Sequence, residues 1–189
     1  QIITWVQVTL LGASAALVNE RLSGTLQRLA IVPASGALIL GGKLLARLCL
    51  GLAQMVLLFV GGAVLFEVGW GQSPLAVTLV SLAFALATTG LGLLLATVVK
   101  TPVQAGSINT GLAMMLAALG GAWWPLEITP PLYQQAAHVL PTTWAMRAYT
   151  NILVRGVGVE DVRLHIAVLR GFALVFFLVG VWRYERSRI

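Results

Sequence analysis

Long apolar segments constrain this chain more than any other feature of its sequence. Each is close in length to the roughly 20 residues that an α-helix needs to cross a bilayer core of about 30 Å. Only 10% of the residues are charged and 59% are hydrophobic, whereas a soluble domain carries about 25% charged residues. The sequence therefore predicts an all-α, polytopic membrane protein with one transmembrane domain over 1–189. The predicted spans are 2–18, 44–66, 75–99, 106–124 and 164–182.

The basic residues predict how these spans are oriented. Cytoplasmic loops of membrane proteins are enriched in Lys and Arg. If the polar stretch 19–33 is cytoplasmic, 8 of the 12 basic residues lie inside and Arg147, Arg155, Arg163 and Arg170 lie outside. This orientation places the C-terminus in the cytoplasm, and with five spans it places Gln1 on the outer side.

The polar stretch 19–33 carries the pattern of a short amphipathic helix between two spans. Leu22, Leu26 and Leu29 recur at the spacing of one helical face, and Pro33 ends the pattern because proline lacks the required N–H group. One face would lie on the membrane or contact a protein. A solvated loop helix fits the same periodicity equally well.

The segment 125–163 differs from the spans because prolines interrupt it. Between these prolines, 132–140 and 144–154 are long enough for short helices and too short to cross a bilayer. We expect two interfacial or re-entrant helices on the outer side.

A few polar and charged residues within the apolar segments are candidates for a transport pathway. Gln7, Asn109 and Thr110 are the pathway candidates, although interhelical hydrogen bonding explains them as well. Arg170 lies inside an apolar run, where a charge is costly. It would snorkel outward or pair with Glu127, Glu160 or Asp161, as an external gate or charge pair.

Several other functions find little support in the residues. Gly42-Lys43 is the nearest approach to a phosphate-binding loop, but Ala37 and Leu44 replace a glycine and a hydroxyl residue that such a loop requires. Asp161 and His165 make no nucleophile–base pair, and no metal-ligand spacing or nucleic-acid motif is present. A secondary transporter stays the main alternative, together with a membrane protein that does not transport, but no internal repeat is evident and the spans carry few acidic residues.

Specific residues connect this pattern to a known family. Glu20-Arg21, Gly24-Thr25, Leu29, Pro33 and Gly42-Lys43 together resemble the cytoplasmic signature of the type-2 ABC transporter permeases. Leu140-Pro141, with the short helix before it, resembles the external element before the last span of that family. The resemblance covers the whole chain.

The resemblance implies a bacterial exporter subunit in the inner (cytoplasmic) membrane. A second permease subunit, identical or different, would complete the pathway, and a separate ATPase subunit would bind ATP and Mg²⁺, so that this chain itself holds no cofactor. The family has six spans, which implies that a first span is missing N-terminal to Gln1. A drug, lipid or other amphiphile is the expected substrate.

The same resemblance assigns an ATPase-coupling role to one group of residues in the polar stretch. Glu20 and Arg21 would offer a polar contact surface, Gly24 would permit a close approach, and the leucines would bind the helix to the membrane domain. The full group is Glu20, Arg21, Leu22, Gly24, Thr25, Leu26, Arg28 and Leu29.

Overall fold

The computed structural model describes residues 2–22 and 36–186. These residues form helices and no β-strand, which confirms the prediction of an all-α membrane protein. The helices are α1 (Ile2–Leu11), α2 (Ala13–Leu22), α3 (Gly36–Phe66), α4 (Pro74–Ala96), α5 (Pro102–Leu119), α6 (Pro131–Ala137), α7 (Pro141–Arg155) and α8 (Val159–Arg186), with a 3-10 turn at Leu126–Ile128.

In the described residues, four helical stretches are long and apolar enough to cross a membrane. They are Ile2–Glu20, Leu40–Phe66, Pro74–Ala96 and Val159–Tyr184. The predicted span 106–124 corresponds to α5, which has 18 residues and is not among the four. Its hydropathy is lowered by four polar side chains, which are Gln104, Ser107, Asn109 and Thr110. A membrane crossing by α5 therefore stays a prediction.

Helix α4 forms the centre of the bundle. It packs against α1, α2, α3, α7 and α8, and 67% of its most apolar stretch is buried. Its start is set locally, because the Ser73 side chain accepts a hydrogen bond from the Ala76 amide and Pro74 occupies the first turn. Thr101 and Pro102 start α5 in the same way.

Helices α1 and α2 together occupy the predicted span 2–18 and differ from it by an interruption at Gly12. The Gly12 amide still donates to the Val8 carbonyl and the Ala16 amide to the Gly12 carbonyl. The two helices therefore form one nearly continuous rod, the α1–α2 rod.

The 125–163 segment contains α6 and α7, close to the two short helices expected there. Helix α7 ends where Gly156 adopts a positive φ of 67°, a conformation that glycine adopts without steric cost. Helix α8 begins at Val159 and ends at Arg186, so it is longer at both ends than the predicted span 164–182. The bundle thus has an α6–α7 end and an opposite α2–α3 end.

Candidate functional site

The α2–α3 end contains the described part of the predicted coupling group. Glu20 lies near the end of α2, which finishes with Arg21 and Leu22. Its carboxylate forms an ion pair with the ammonium group of Lys43 on α3. Gly24, Thr25, Leu26, Arg28 and Leu29 lie outside the described residues. The ion pair joins the two helices that the predicted coupling segment connects.

A cavity of about 360 Å³ lies beside this ion pair. Its wall carries the polar side chains of Glu20, Lys43 and Arg47, and its remaining lining is apolar. The sequence analysis did not predict that Lys43 pairs with Glu20. The available signal was that Glu20 lies near the start of the polar stretch 19–33 and the opposite charge, Lys43, lies ten residues after its end.

The pathway candidates Gln7 and Asn109 are buried between helices. The Gln7 amide nitrogen donates to the hydroxyl of Thr142 at 3.0 Å, and the Ser14 hydroxyl donates to the Asn109 side-chain oxygen at 2.8 Å. Thr110, by contrast, is exposed on α5. The structure therefore places Gln7 where the α1–α2 rod meets α7 and Asn109 where the rod meets α5, and it leaves Thr110 exposed.

These contacts belong to a line of polar side chains along the rod, here called the polar seam. Thr4, Gln7 and Ser14 share one helical face and bond to Trp123, Thr142 and Asn109, respectively. Within the described residues, two buried amide atoms of the seam, Gln7 Oε1 and Asn109 Nδ2, have no hydrogen-bond partner. Because burying an unpaired polar atom is unfavourable, the seam has hydrogen-bonding capacity left for a ligand or water.

The expected charge pair of Arg170 does not form within the part of the chain that is described. Arg170, Glu127 and Asp161 are all exposed, and no ion pair in that part joins Arg170 to either carboxylate. Glu160 instead pairs with Arg163 at 3.1 Å. A gating role for these three residues stays a prediction.

A second polar cluster at the α6–α7 end was not predicted. The His138 Nδ1 atom lies 2.7 Å from the Gln134 carbonyl oxygen and therefore carries the proton. The unprotonated Nε2 accepts from the Arg147 guanidinium, and the Trp144 indole donates to the His138 carbonyl at 2.8 Å. The cluster fixes Arg147 relative to α6.

Tyr149 attaches α7 to the central helix. Its hydroxyl lies 2.7 Å from the Ser81 hydroxyl on α4. Burial raises the pKa of Tyr149. The phenol is therefore neutral at every physiological pH and acts as a structural hydrogen-bond group.

The described residues contain no group of three or more His, Cys, Asp or Glu side chains that could hold a metal ion.

Comparison with known proteins assigns the family. The sequence profile described as "ABC-2 family transporter protein" matches residues 2–182, which confirms the resemblance to type-2 ABC permeases. No solved structure matches the chain significantly.

Curated relatives agree with this assignment. The linearmycin resistance permease protein LnrN of Bacillus subtilis is 32% identical over 179 residues, covering 95% of this chain and 46% of LnrN. The inner membrane transport permease YhhJ of Escherichia coli is 27% identical over 187 residues, covering 98% of this chain and 49% of YhhJ. The chain thus spans about half the length of these relatives.

Proposed function

This chain belongs to the ABC-2 family of transporter proteins, which are membrane subunits of ABC transporters, and we propose that it forms the substrate pathway of an ATP-driven exporter. A separate ATPase subunit binds the segment that joins α2 and α3 and hydrolyses ATP with Mg²⁺. A second permease subunit completes the pathway. The transporter lies in the inner membrane of a bacterial cell, with the C-terminus in the cytoplasm.

The observation that carries the proposal is the ion pair between Glu20 and Lys43. It joins α2 to α3, the two helices that the predicted coupling segment 19–33 connects in sequence. Because the ion pair holds α2 and α3 together, a displacement of that segment would move both helices and would not only change the distance between them. The two side chains are 32% and 23% exposed, so the pair contributes about 1 kcal/mol or less.

The substrate is proposed to be an amphiphile such as a drug or lipid. The buried polar seam, with its two unpaired amide atoms, supports a pathway that offers hydrogen bonds within an otherwise apolar bundle. LnrN is named a linearmycin resistance permease, and its name makes a small-molecule exporter a reasonable comparison.

Co-purification tests the partner directly. The full-length protein, carrying an affinity tag, is isolated from membranes in a mild detergent. We expect a separate ATPase chain to co-purify in equal amount. A stable, monodisperse protein with no ATPase attached would contradict the proposal and favour a secondary transporter or a membrane protein that does not transport.

Charge reversal tests the coupling role. Glu20→Lys or Lys43→Glu places like charges together, and we expect either change to reduce substrate-stimulated ATP hydrolysis by about fivefold, the scale of 1 kcal/mol. The double reversal should restore most of the activity. Lys100→Glu is the matched control, since Lys100 is exposed and follows α4, outside the ion pair. If Lys43→Glu behaves like Lys100→Glu, the pair has no role in coupling.

A further inference from the structure

Two adjoining cavities lie at the α6–α7 end. One has a volume of about 330 Å³ and the other about 290 Å³, each near the lower end of the range for small-molecule sites. They adjoin because they share the lining residues Leu126, Glu127, Arg147 and Thr150. We call their union the Trp–Arg groove.

One half of the groove is aromatic and apolar. Trp123 and Trp124 line it together with Pro125 and Met146. The two indoles meet edge to face with centroids 6.1 Å apart, and they are still 46% and 41% exposed. Because tryptophan gains by burying its rings next to a polar boundary, these exposed faces favour contact with an apolar chain.

The other half of the groove is polar and carries excess positive charge. Arg147, Arg155 and His165 line it, and Glu127 supplies the one carboxylate among its described lining residues. Arg147 uses part of its guanidinium on His138, but a guanidinium has five N–H donors, so others remain for a ligand. The buried Nδ1 atom of His165 has no hydrogen-bond partner among the described residues.

We propose that the Trp–Arg groove binds an amphiphile with a negatively charged head group. The carboxylate or phosphate of the head lies between Arg147 and Arg155, whose forked donors match the oxygens of such groups. The apolar chain lies on Trp123 and Trp124. This inference rests on the proposed transport function and narrows its substrate class from amphiphiles in general to anionic ones. An anionic lipid of the bilayer has the same chemistry as a transported anionic compound, so either source fits the groove.

Quenching of tryptophan fluorescence by brominated amphiphiles tests the proposal. The full-length protein is placed in phosphatidylcholine nanodiscs and titrated with 11-bromoundecanoate, whose bromine quenches indoles on contact. The neutral 11-bromoundecanol is the matched probe without charge. We expect saturable quenching by the acid and weak, unsaturable quenching by the alcohol.

Two pairs of variants locate the site. Arg155→Gln should weaken binding of the acid about tenfold, the scale of one charge-assisted hydrogen bond, whereas Arg163→Gln, an exposed arginine outside the groove, should leave it unchanged. Trp124→Leu should reduce both the affinity and the quenched fraction. Trp182→Leu removes another exposed indole, near the end of α8, and should not alter the affinity.

The outcomes distinguish failure of the groove proposal from failure of the proposed function. They also distinguish the two possible sources of the ligand. Equal quenching by acid and alcohol, or equal affinity in Arg155→Gln and the unaltered protein, would overturn the groove proposal. The titration needs neither ATP nor an ATPase, so its result does not depend on whether an ATPase co-purifies. Adding phosphatidylglycerol to the nanodiscs should weaken acid binding if a bilayer lipid is the natural occupant. Unchanged binding there points to a transported compound.

Discussion

The hydrogen bond between Ser81 and Tyr149 predicts how much each of two substitutions destabilises the protein, because the effect depends on which hydroxyl is the donor. The Ser81 hydroxyl donates to the Val77 carbonyl at 2.7 Å. Since a serine hydroxyl has one proton, Tyr149 must be the donor in the bond to Ser81. Ser81→Ala therefore leaves the phenol, on a side chain that is 6% exposed, without an acceptor. Tyr149→Phe leaves Ser81 still bonded to Val77.

The two substitutions should have unequal effects on the free energy of unfolding. A buried hydroxyl left without a partner costs about 1–3 kcal/mol, whereas loss of a hydrogen bond whose other member stays satisfied costs about 0.5–1.5 kcal/mol. We expect Ser81→Ala to destabilise by about 2 kcal/mol and Tyr149→Phe by about 1 kcal/mol. The double variant should resemble Tyr149→Phe, because it contains no unpaired phenol.

Equilibrium unfolding in mixed micelles with increasing sodium dodecyl sulfate, followed by circular dichroism, measures these differences. Ser107→Ala is the control. Its hydroxyl makes the same bond to a carbonyl four residues earlier on α5, yet the residue is exposed, and a change within about 0.5 kcal/mol is expected. Equal costs for the two single variants, or costs that add in the double variant, would refute the proton assignment.

The raised pKa of Tyr149 adds a pH dependence to the same comparison. In the unfolded chain the phenol ionises near its ordinary pKa of 10.0, but in the folded protein burial keeps it protonated to higher pH. The contribution of the Tyr149 phenol to the free energy of unfolding is therefore fully present below pH 10.0 and is lost as the pH rises above that value. Tyr149→Phe should lack this part of the decline.

Two further predictions concern the packing of the helices. A Cβ at Gly180 would lie 2.9 Å from Leu93 Cγ on α4, whereas a Cβ at Gly171 would have no other atom within 4 Å. In thermal melting in detergent, Gly180→Ala should therefore destabilise by about 1–3 kcal/mol, and Gly171→Ala should be neutral or stabilising. Equal melting shifts for the two variants would contradict the contact between Gly180 and Leu93. Thr142→Val should destabilise by about 1–3 kcal/mol in the same assay, because both polar atoms of the Gln7 amide are then buried without partners. Gln7→Met removes that amide and should destabilise less. The reverse order would contradict the hydrogen bond between Gln7 and Thr142 in the polar seam.

The long apolar helices were predictable from the sequence because each contains a predominantly apolar stretch of about the length that a bilayer requires. The short helices α6 and α7 were also foreseeable, since prolines limit the apolar stretches between them. The interruption at Gly12 was not, because a single glycine within an apolar run predicts neither a break nor a continuous helix. The extra length of α8 arises from polar residues at both ends, which continue a helix without adding to its hydropathy.

The candidate site was harder to predict because its contacts join residues far apart in sequence. Gln7 and Asn109 were recognised as polar residues within apolar segments, but their partners depend on which helices become neighbours. Gln7 meets Thr142 across 135 positions, and nothing local specifies that pairing. The same limitation applies to the Trp–Arg groove, whose two halves come from the turn after α5 and from α7.

The burial of the helices indicates where the bundle can change shape. In lipid, apolar surface gains little by leaving the bilayer for a neighbouring helix, so close packing and hydrogen bonds hold helices together. The central helix α4 is packed on several sides, and the polar seam holds the α1–α2 rod. Helix α3 is different, since only 11% of its most apolar stretch is buried, although Gly51 packs closely against Leu10 of the rod. Displacing α3 sideways would therefore break few protein contacts, whereas displacing α4 would break many. Because α3 begins directly after residues 23–35 and is tied to α2 by Lys43, the proposed coupling segment is connected to the least buried of the four candidate spans in the described residues.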